Sequence, residues 1–132
     1  MRFVLDASAL ITYLEDREGA AKVDALLNEA QQSGVEIHMS VVNWGEARHN
    51  FWRRHGEALA MEAFGRVIRL GIQLVDATRE RAELAATLKI RNALPYADGF
   101  AAGLAMEKKA RLVTSDSDFE RVKDQVKLLR LR

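Results

Sequence analysis

The sequence has 132 residues, enough for one domain with one hydrophobic core and too few for two ordinary domains. Hydrophobic residues make up 48% and charged residues 30%, a balance typical of a folded globular protein. The 20 Lys and Arg residues nearly match the 19 Asp and Glu residues, so overall charge gives no argument for a nucleic-acid partner. Cysteine is absent, which excludes disulfides, thiol catalysis and thiolate zinc sites.

The lack of cysteine also fits a reducing compartment, so we expect a cytoplasmic protein. An apolar run begins at Phe3, which leaves no room for a signal sequence before it, and no apolar run reaches membrane-spanning length. We therefore expect a single domain over residues 1–132 and no association with a membrane.

Short apolar runs and helical patterns alternate along the chain. The pattern predicts a strand at 2–5, helices at 8–15 and 20–32, a strand at 35–39, and helices over about 40–55 and 57–70. It then predicts a strand at 72–75, helices at 78–91 and 96–109, a strand at 112–114, a short helix at 118–122 and a last strand at 126–129. This alternation predicts an α/β fold with a mainly parallel central sheet covered by helices on both faces.

Acidic residues recur near the ends of the predicted strands. Asp6 follows the first strand and Asp116 follows the strand at 112–114, whereas Glu46 lies on the helix after the second strand. Asp98 opens an Ala-rich helix. Because parallel sheets build their sites outside the carboxyl ends of the strands, these acids would form one pocket of hard oxygen ligands. Such a pocket suits Mg²⁺ or Mn²⁺ and the chemistry of phosphodiesters.

Each acid also has an ordinary explanation when it is taken singly. Asp commonly caps helices and turns, which covers Asp6, Asp98 and Asp116, and a Glu in a helix usually faces solvent. Asp76 follows an apolar run too, but no comparable motif surrounds it, and we interpret it as a capping residue beside Thr78. An acid after a strand therefore does not identify the site without its local motif.

The local motifs around the four acids occur in a characteristic order. They are Val4-Leu5-Asp6-Ala7-Ser8, Asn43-Trp44-Gly45-Glu46-Ala47, Tyr96-Ala97-Asp98-Gly99-Phe100 and Thr114-Ser115-Asp116-Ser117-Asp118-Phe119. The chain resembles a PIN domain over nearly its whole length, and it is most similar to the VapC toxins of bacterial and archaeal toxin–antitoxin pairs. The most specific parts are Leu-Asp-Ala-Ser near the start and Thr-x-Asp-x-Asp-Phe near the end.

The resemblance implies a three-layer α/β/α sandwich and an Mg²⁺-dependent endoribonuclease, with Mn²⁺ as a substitute. It also implies an RNA substrate, a cognate antitoxin and a homodimer. By motif, the catalytic and metal-binding quartet would be Asp6, Glu46, Asp98 and Asp116. Asp118 would be an additional metal ligand, with Ser8 and Thr114 as polar supports. Gly99 departs mildly from the usual family pattern, and we expect it to loosen the first turn of its helix.

Three histidines bear on the cleavage mechanism. An RNase that uses the 2′-hydroxyl as nucleophile typically needs a histidine acid–base pair. His38 lies in a predicted strand, and His49 and His55 lie on the helix that carries Glu46. Nothing pairs them, so we interpret all three as structural or surface residues. We predict water attack that leaves a 5′-phosphate and a 3′-hydroxyl, as the resemblance also implies.

Basic and aromatic residues near the predicted pocket could hold RNA through phosphate contacts and base stacking. Such residues also occur as solvated surface, as core or as dimer contacts, and that alternative stays open. The residues concerned are Arg48, Arg53, Arg54, Trp44, Phe51, Trp52, Arg66, Arg69, Lys108, Lys109 and Arg111.

Two other functions stay open on the sequence alone. A phosphatase or phosphotransfer domain also groups acids at strand ends. However, a haloacid-type phosphatase needs a second Asp where this chain has Ser8, and a response regulator needs an acid pair that Asp6 lacks. A catalytically silent RNA-binding or partner-binding module is the other alternative. The four acids argue against it, because a silent domain has no need for four like charges in one place.

Overall fold

The first strand shows how the sheet is built. Phe3, Val4 and Leu5 form an apolar run too short for a helix, and all three side chains are buried, as expected for a strand covered on both faces. In the computed structural model, which describes residues 1–32 and 34–132, this strand lies at the centre of the sheet.

Over those residues, strands and helices alternate. The strands are β1 (Arg2–Leu5), β2 (Glu36–Ser40), β3 (Ile72–Val75), β4 (Arg111–Thr114) and β5 (Leu128–Arg130). The helices are α1 (Ala7–Leu14), α2 (Ala20–Gln32), α3 (Val41–His55), α4 (Glu57–Val67), α5 (Arg79–Asn92) and α6 (Tyr96–Lys108). Short 3-10 helices follow at Ile68–Leu70 and Ser117–Val122.

All neighbouring strands pair in parallel, in the order β3-β2-β1-β4-β5. The carboxyl ends of the strands therefore meet at one edge, and the end of β1 lies between the ends of β2 and β4. The predicted α/β fold with a parallel sheet between helical layers is confirmed.

Side chains alternate between the two faces of the sheet and build two cores. Phe3, Leu5 and Met39 pack with the first core, which includes residues of α1, α2, α3 and α4. Val4 points to the opposite face and packs with α5, α6 and the second 3-10 helix. This division follows from the two-residue repeat of a strand and gives the three layers that the resemblance implies.

The predicted elements agree with the structure except in detail near their ends. Ser40 and Thr78, at which two of the predicted helices begin, are the N-caps of α3 and α5, and their hydroxyls accept hydrogen bonds from Val42 N and Arg81 N. The predicted helix at 57–70 ends in a 3-10 turn, the predicted short helix is a 3-10 helix, and the last strand begins two residues later than predicted. Among the described residues no helix combines the length and apolar character needed to cross a membrane.

Gly99 has a packing role that differs from our expectation. A Cβ at this position would lie 2.8 Å from the carbonyl oxygen of Ala85 and 3.0 Å from its Cα. These are backbone atoms of α5, so they cannot move aside as a flexible side chain would. Glycine here lets α6 approach α5 closely, and this approach fixes the helix turn that carries Asp98.

We expect Gly99→Ala to destabilise the fold, because overpacking against a backbone costs about 1–3 kcal/mol and exceeds the gain in helix propensity. The matched control is Gly65→Ala on α4, where no atom lies within 4 Å of the added Cβ. That substitution should stabilise the protein by about 0.5–1 kcal/mol. Urea unfolding of both variants gives the comparison, and equal gains in stability would refute the close-packing role of Gly99.

Candidate metal centre

Asp6 is held rigidly at the carboxyl end of β1. The residue is only 3% exposed and is the N-cap of α1, where it accepts a hydrogen bond of 2.8 Å from Ala9 N. Ser8 Oγ lies 2.8 and 2.9 Å from the two carboxylate oxygens, and Thr114 Oγ1 donates to Oδ2 at 2.6 Å. One carboxylate therefore ties the β1–α1 turn to the end of β4.

Thr114 and Ser8 extend this link to the next loop. Thr114 is buried at the end of β4, and its hydroxyl oxygen accepts a hydrogen bond of 2.9 Å from Asp116 N. Ser8 Oγ likewise accepts from Ser115 N at 3.0 Å. The two hydroxyls that we predicted as polar supports thus connect Asp6 with the backbone that presents Asp116.

Three carboxylates converge beside this link. Asp98, Asp116 and Asp118 each offer an oxygen, and these oxygens lie within 4.8 Å of one another. Asp116 Oδ1 also accepts a hydrogen bond of 2.9 Å from Asp118 N, which orients the two acids of the 3-10 turn. This geometry gives Asp118 a place in the cluster at least as central as that of Asp6.

Asp98 is the acid whose pKa is raised by the charges of all the other acids at the site. Burial on the first turn of α6 raises its pKa, and four surrounding carboxylates raise it further, to about 7. The contributing charges, in order, are those of Asp116, Asp6, Glu46 and Asp118. All four of these acids therefore lie close enough to Asp98 to raise its pKa, and Asp116 also raises the pKa of Asp6 and of Glu46.

The pKa of Asp6 is also raised, to about 6, and burial is the largest cause. The donors Thr114, Ala9 N and Ser8 lower it, whereas Asp116 raises it. Desolvation outweighs three hydrogen bonds because the side chain has almost no contact with water.

Glu46 reaches the site from α3. It is half-buried, and its pKa is raised mainly by burial, with a smaller contribution from Asp116. The Asn43 side chain, one turn earlier on α3, lowers that pKa by hydrogen bonding.

Asn43 is a site-supporting residue that the sequence analysis did not single out. It is fully buried, and its Nδ2 donates to the carbonyl oxygen of Ala97 at 2.9 Å, which joins α3 to the first turn of α6. Within the described part of the chain, its Oδ1 has no hydrogen-bond partner. The sequence did offer a signal for this role, because Asn43 is polar and lies one helical turn before Glu46, at a position that must face inward.

Three other polar residues considered in the sequence, Asp76, His38 and His55, lie away from the acid cluster. Asp76 is exposed at the end of the edge strand β3, and its backbone carbonyl accepts from Arg81 Nη1 at 3.0 Å. His38 is buried in β2, where burial lowers its pKa, and His55 Nε2 lies 2.8 Å from Glu15 Oε2 at the end of α1. Neither histidine lies at the acid cluster.

The model of the PIN domain family matches residues 3–125 of this chain. The chain belongs to the PIN domain family. The family named by the sequence resemblance is thereby confirmed. Among curated proteins, no relative matches its sequence.

Solved structures with the same fold include VapBC proteins. VapBC2 from Rickettsia felis, bound to a DNA fragment of its promoter, has a TM-score of 0.77 at 13% identity, and the match covers 98% of each chain. DNA-bound VapBC from Salmonella typhimurium has a TM-score of 0.74 at 14% identity, with 100% of this chain and 99% of that one covered. Mycobacterium tuberculosis VapC20, a sarcin-ricin loop cleaving toxin, has a TM-score of 0.70 at 18% identity, with 89% and 92% covered. At these identities the likeness shows the fold of the PIN domain.

The raised pKa of Asp98 predicts a pH-dependent stability in chelator. Because the folded-state pKa of about 7 lies above the ordinary value of 3.8 for an Asp side chain, the native state binds the proton more tightly, and its stability falls as pH rises through this interval. Asp98→Asn stays neutral throughout, so its advantage in melting temperature over the parent should grow from pH 4 to pH 7. We expect an advantage of a few degrees at the upper end, about 2–4 °C for each kcal/mol.

Differential scanning calorimetry in chelator at several pH values measures this advantage. Asp76→Asn, which removes an acid outside the cluster, is the control and should follow the parent at every pH. An advantage of Asp98→Asn that shrinks as pH rises would show that Asp98 is not the strained member of the cluster.

Proposed function

We propose that this PIN domain is a metal-dependent endoribonuclease and the toxin of a type II toxin–antitoxin pair. The supporting observation is the convergence of Asp98, Asp116 and Asp118 within 4.8 Å, with Asp6 and Glu46 acting on the same charges. Five carboxylates gathered at the open edge of a parallel sheet destabilise a fold unless a cation offsets them, so their presence points to a metal-dependent site.

The donors fit a hard divalent cation. Carboxylate and hydroxyl oxygens are the ligands that Mg²⁺ and Mn²⁺ prefer. Asp98, Asp116 and Asp118 would hold the ion directly, and Asp6 and Glu46 would complete its surroundings. When bound, Mg²⁺ lowers the pKa of a water molecule and offsets the charge of a phosphodiester.

The residues of the chain then have distinct tasks in the proposed reaction. Ser8 and Thr114 keep Asp6 in one orientation, and Asn43 keeps the first turn of α6 against α3. Glu46, whose pKa is raised by burial, is suited to accept the proton of the attacking water. The water oxygen bonds to phosphorus as its proton passes to Glu46, the bond from phosphorus to the 3′-oxygen breaks, and that oxygen takes a proton from solvent. The products are a 5′-phosphate and a 3′-hydroxyl.

The similar structures support the biological part of the proposal. Two of them are VapBC complexes, and the third is described as a sarcin-ricin loop cleaving toxin. We therefore propose RNA as the substrate, a cognate antitoxin as the partner, a homodimer as the assembly and the cytoplasm as the place of action.

The quartet is tested by isosteric substitutions that remove a charge and keep the shape. Asp6→Asn, Glu46→Gln, Asp98→Asn and Asp116→Asn should each lower Mg²⁺-dependent RNA cleavage by at least about a hundredfold, the scale of losing one essential electrostatic contact. Asp118→Asn should also lose activity, because its oxygen shares the cluster. Asp76→Asn is the matched control and should keep most activity in the same gel assay. Comparable losses in Asp76→Asn and Asp98→Asn would refute the assignment.

The metal and the attacking group are tested together. Mg²⁺ and Mn²⁺ should support cleavage, Ca²⁺ should support it poorly because of its longer and more flexible coordination, and chelator should abolish it. The products should carry a 5′-phosphate, measured by a 5′-phosphate-dependent exonuclease. Full activity in chelator, or a 2′,3′-cyclic phosphate end, would contradict metal-assisted water attack.

A further inference from the structure

The outward face of α3 carries an open groove beside the acid cluster. The groove encloses about 400 Å³ and is lined by Gly45, Arg48, His49, Trp52 and Arg53, which we call the α3 groove. Trp52 is a large aromatic residue and is nevertheless 40% exposed. In contrast, Trp44 and Phe51 on the same helix pack against Phe64 of α4 and belong to the first core.

The chemistry of the α3 groove combines a flat aromatic ring with unbalanced positive charge. The guanidinium carbon of Arg48 lies 5.8 Å from the ring centroid of Trp52, within the range of a cation–π contact. Glu15 neutralises the nearby Arg54. No ion pair of Arg48 or Arg53 occurs among the described residues, and no acid lines the groove there.

The α3 groove begins next to the catalytic acids. Gly45 directly precedes Glu46, and a Cβ at Gly45 would have no neighbour within 4 Å, so this end of the groove is open. His49 and Arg53 lie three and seven residues after Glu46 and share its side of the helix. Trp52 lies roughly 9 Å from Glu46 along the helix axis, at 1.5 Å per residue.

We propose that the α3 groove binds a nucleotide of single-stranded RNA next to the cleaved phosphodiester. Its base stacks on Trp52, and its phosphate lies against Arg48 and Arg53. Stacking on an exposed aromatic ring beside cationic side chains is how proteins commonly hold unpaired nucleotides. The inference rests on the proposed ribonuclease function and adds to it the surface that holds the substrate strand next to the cleaved bond.

A second copy of this chain is the other occupant that an exposed aromatic face could take. A two-fold interface centred here would bring Arg48 and Arg53 of one copy towards the same cations of the other. Like charges facing each other across an interface oppose association, whereas a phosphate backbone is attracted by them. The charges of the α3 groove therefore favour RNA.

The test compares Trp52→Ala and Trp52→Phe with Met61→Ala, which truncates an even more exposed apolar side chain on α4. The probe is a fluorescein-labelled, unstructured single-stranded RNA, with Ca²⁺ in place of Mg²⁺ so that binding is measured with little cleavage. We expect Trp52→Ala to weaken binding by about tenfold or more, the usual effect of removing a stacking ring. Trp52→Phe should restore most of it, and Met61→Ala should bind like the parent.

Abasic substitutions scanned along the same RNA assign the contact. One abasic position should weaken binding to the parent and have no further effect on Trp52→Ala, and cleavage in Mg²⁺ should occur next to that position. If the parent protein cleaves the RNA and Trp52→Ala binds and cleaves it equally well, the α3 groove does not bind RNA. The proposed function would then still stand. Parent protein that cleaves no RNA in Mg²⁺ would overturn the proposed function, and the inference with it.

Measuring the oligomeric state distinguishes RNA binding at the α3 groove from association of two copies of the chain through it. Sedimentation velocity should give the same assembly for the parent and for Trp52→Ala. Dissociation caused by Trp52→Ala, with no change in RNA affinity per chain, would identify the groove as an interface between copies and overturn its assignment to RNA.

Discussion

Repulsion among carboxylates is the constraint around which the site is organised. Two like charges about 5 Å apart repel by roughly 3 kcal/mol at an effective dielectric near 20, and this cluster contains several such pairs. A protein of this size is stable by only about 5–15 kcal/mol, so the acids cannot all stay ionised and unopposed. The pKa values of Asp6, Glu46 and Asp98 are raised mainly by burial and further by neighbouring carboxylates, so each of these groups accepts a proton more readily when no cation offsets the charge. A divalent cation at the same oxygens would displace those protons.

The acids accommodate this constraint in two different ways. Asp6 is fixed by donors from helix α1 and from the end of β4, and its hydrogen bonds partly offset the cost of its burial. Asp98 lies on the first turn of α6, where its pKa is raised by burial and by four other carboxylates. Its position depends on packing: Gly99 lets α6 approach α5, and Asn43 holds the carbonyl of Ala97. Hydrogen bonds thus position Asp6 at the end of the sheet. Close packing between helices mainly positions Asp98 on α6.

Much of the fold could be predicted because the local signals are strong and agree with the packing. Short apolar runs such as 3–5 and 112–114 have no alternative to a buried strand, and Ser40, Thr78 and Pro95 mark helix starts by their own chemistry. The end of the chain was harder, since Val126 is buried in the second core without belonging to β5. Burial alone does not distinguish a strand from a turn that covers the core.

The site could be predicted only as far as motifs report on position. Asp6 and Asp76 both follow strands, and only the strand order shows why they differ: β1 is central, whereas β3 lies at the edge, away from β4. Asn43 was missed because its partner is the Ala97 carbonyl, and no pattern of side chains indicates a contact with the backbone 54 residues away. The role of Gly99 was misjudged for a similar reason, because its neighbour on α5 is not visible in the sequence around Asp98.

One helix combines the two kinds of charge that the proposed function requires. The formal charge of the chain is only +1, so attraction for RNA must come from local separation of charge. Along α3, Glu46 contributes to the acid cluster, while Arg48 and Arg53 line the α3 groove and form no ion pair with any residue that the structure describes. Without a cation, the acids would repel the same phosphate that the arginines attract. Under the proposed function, metal binding and RNA binding would therefore be coupled, because a cation that offsets the acids would also leave the positive charge of α3 free to hold the strand.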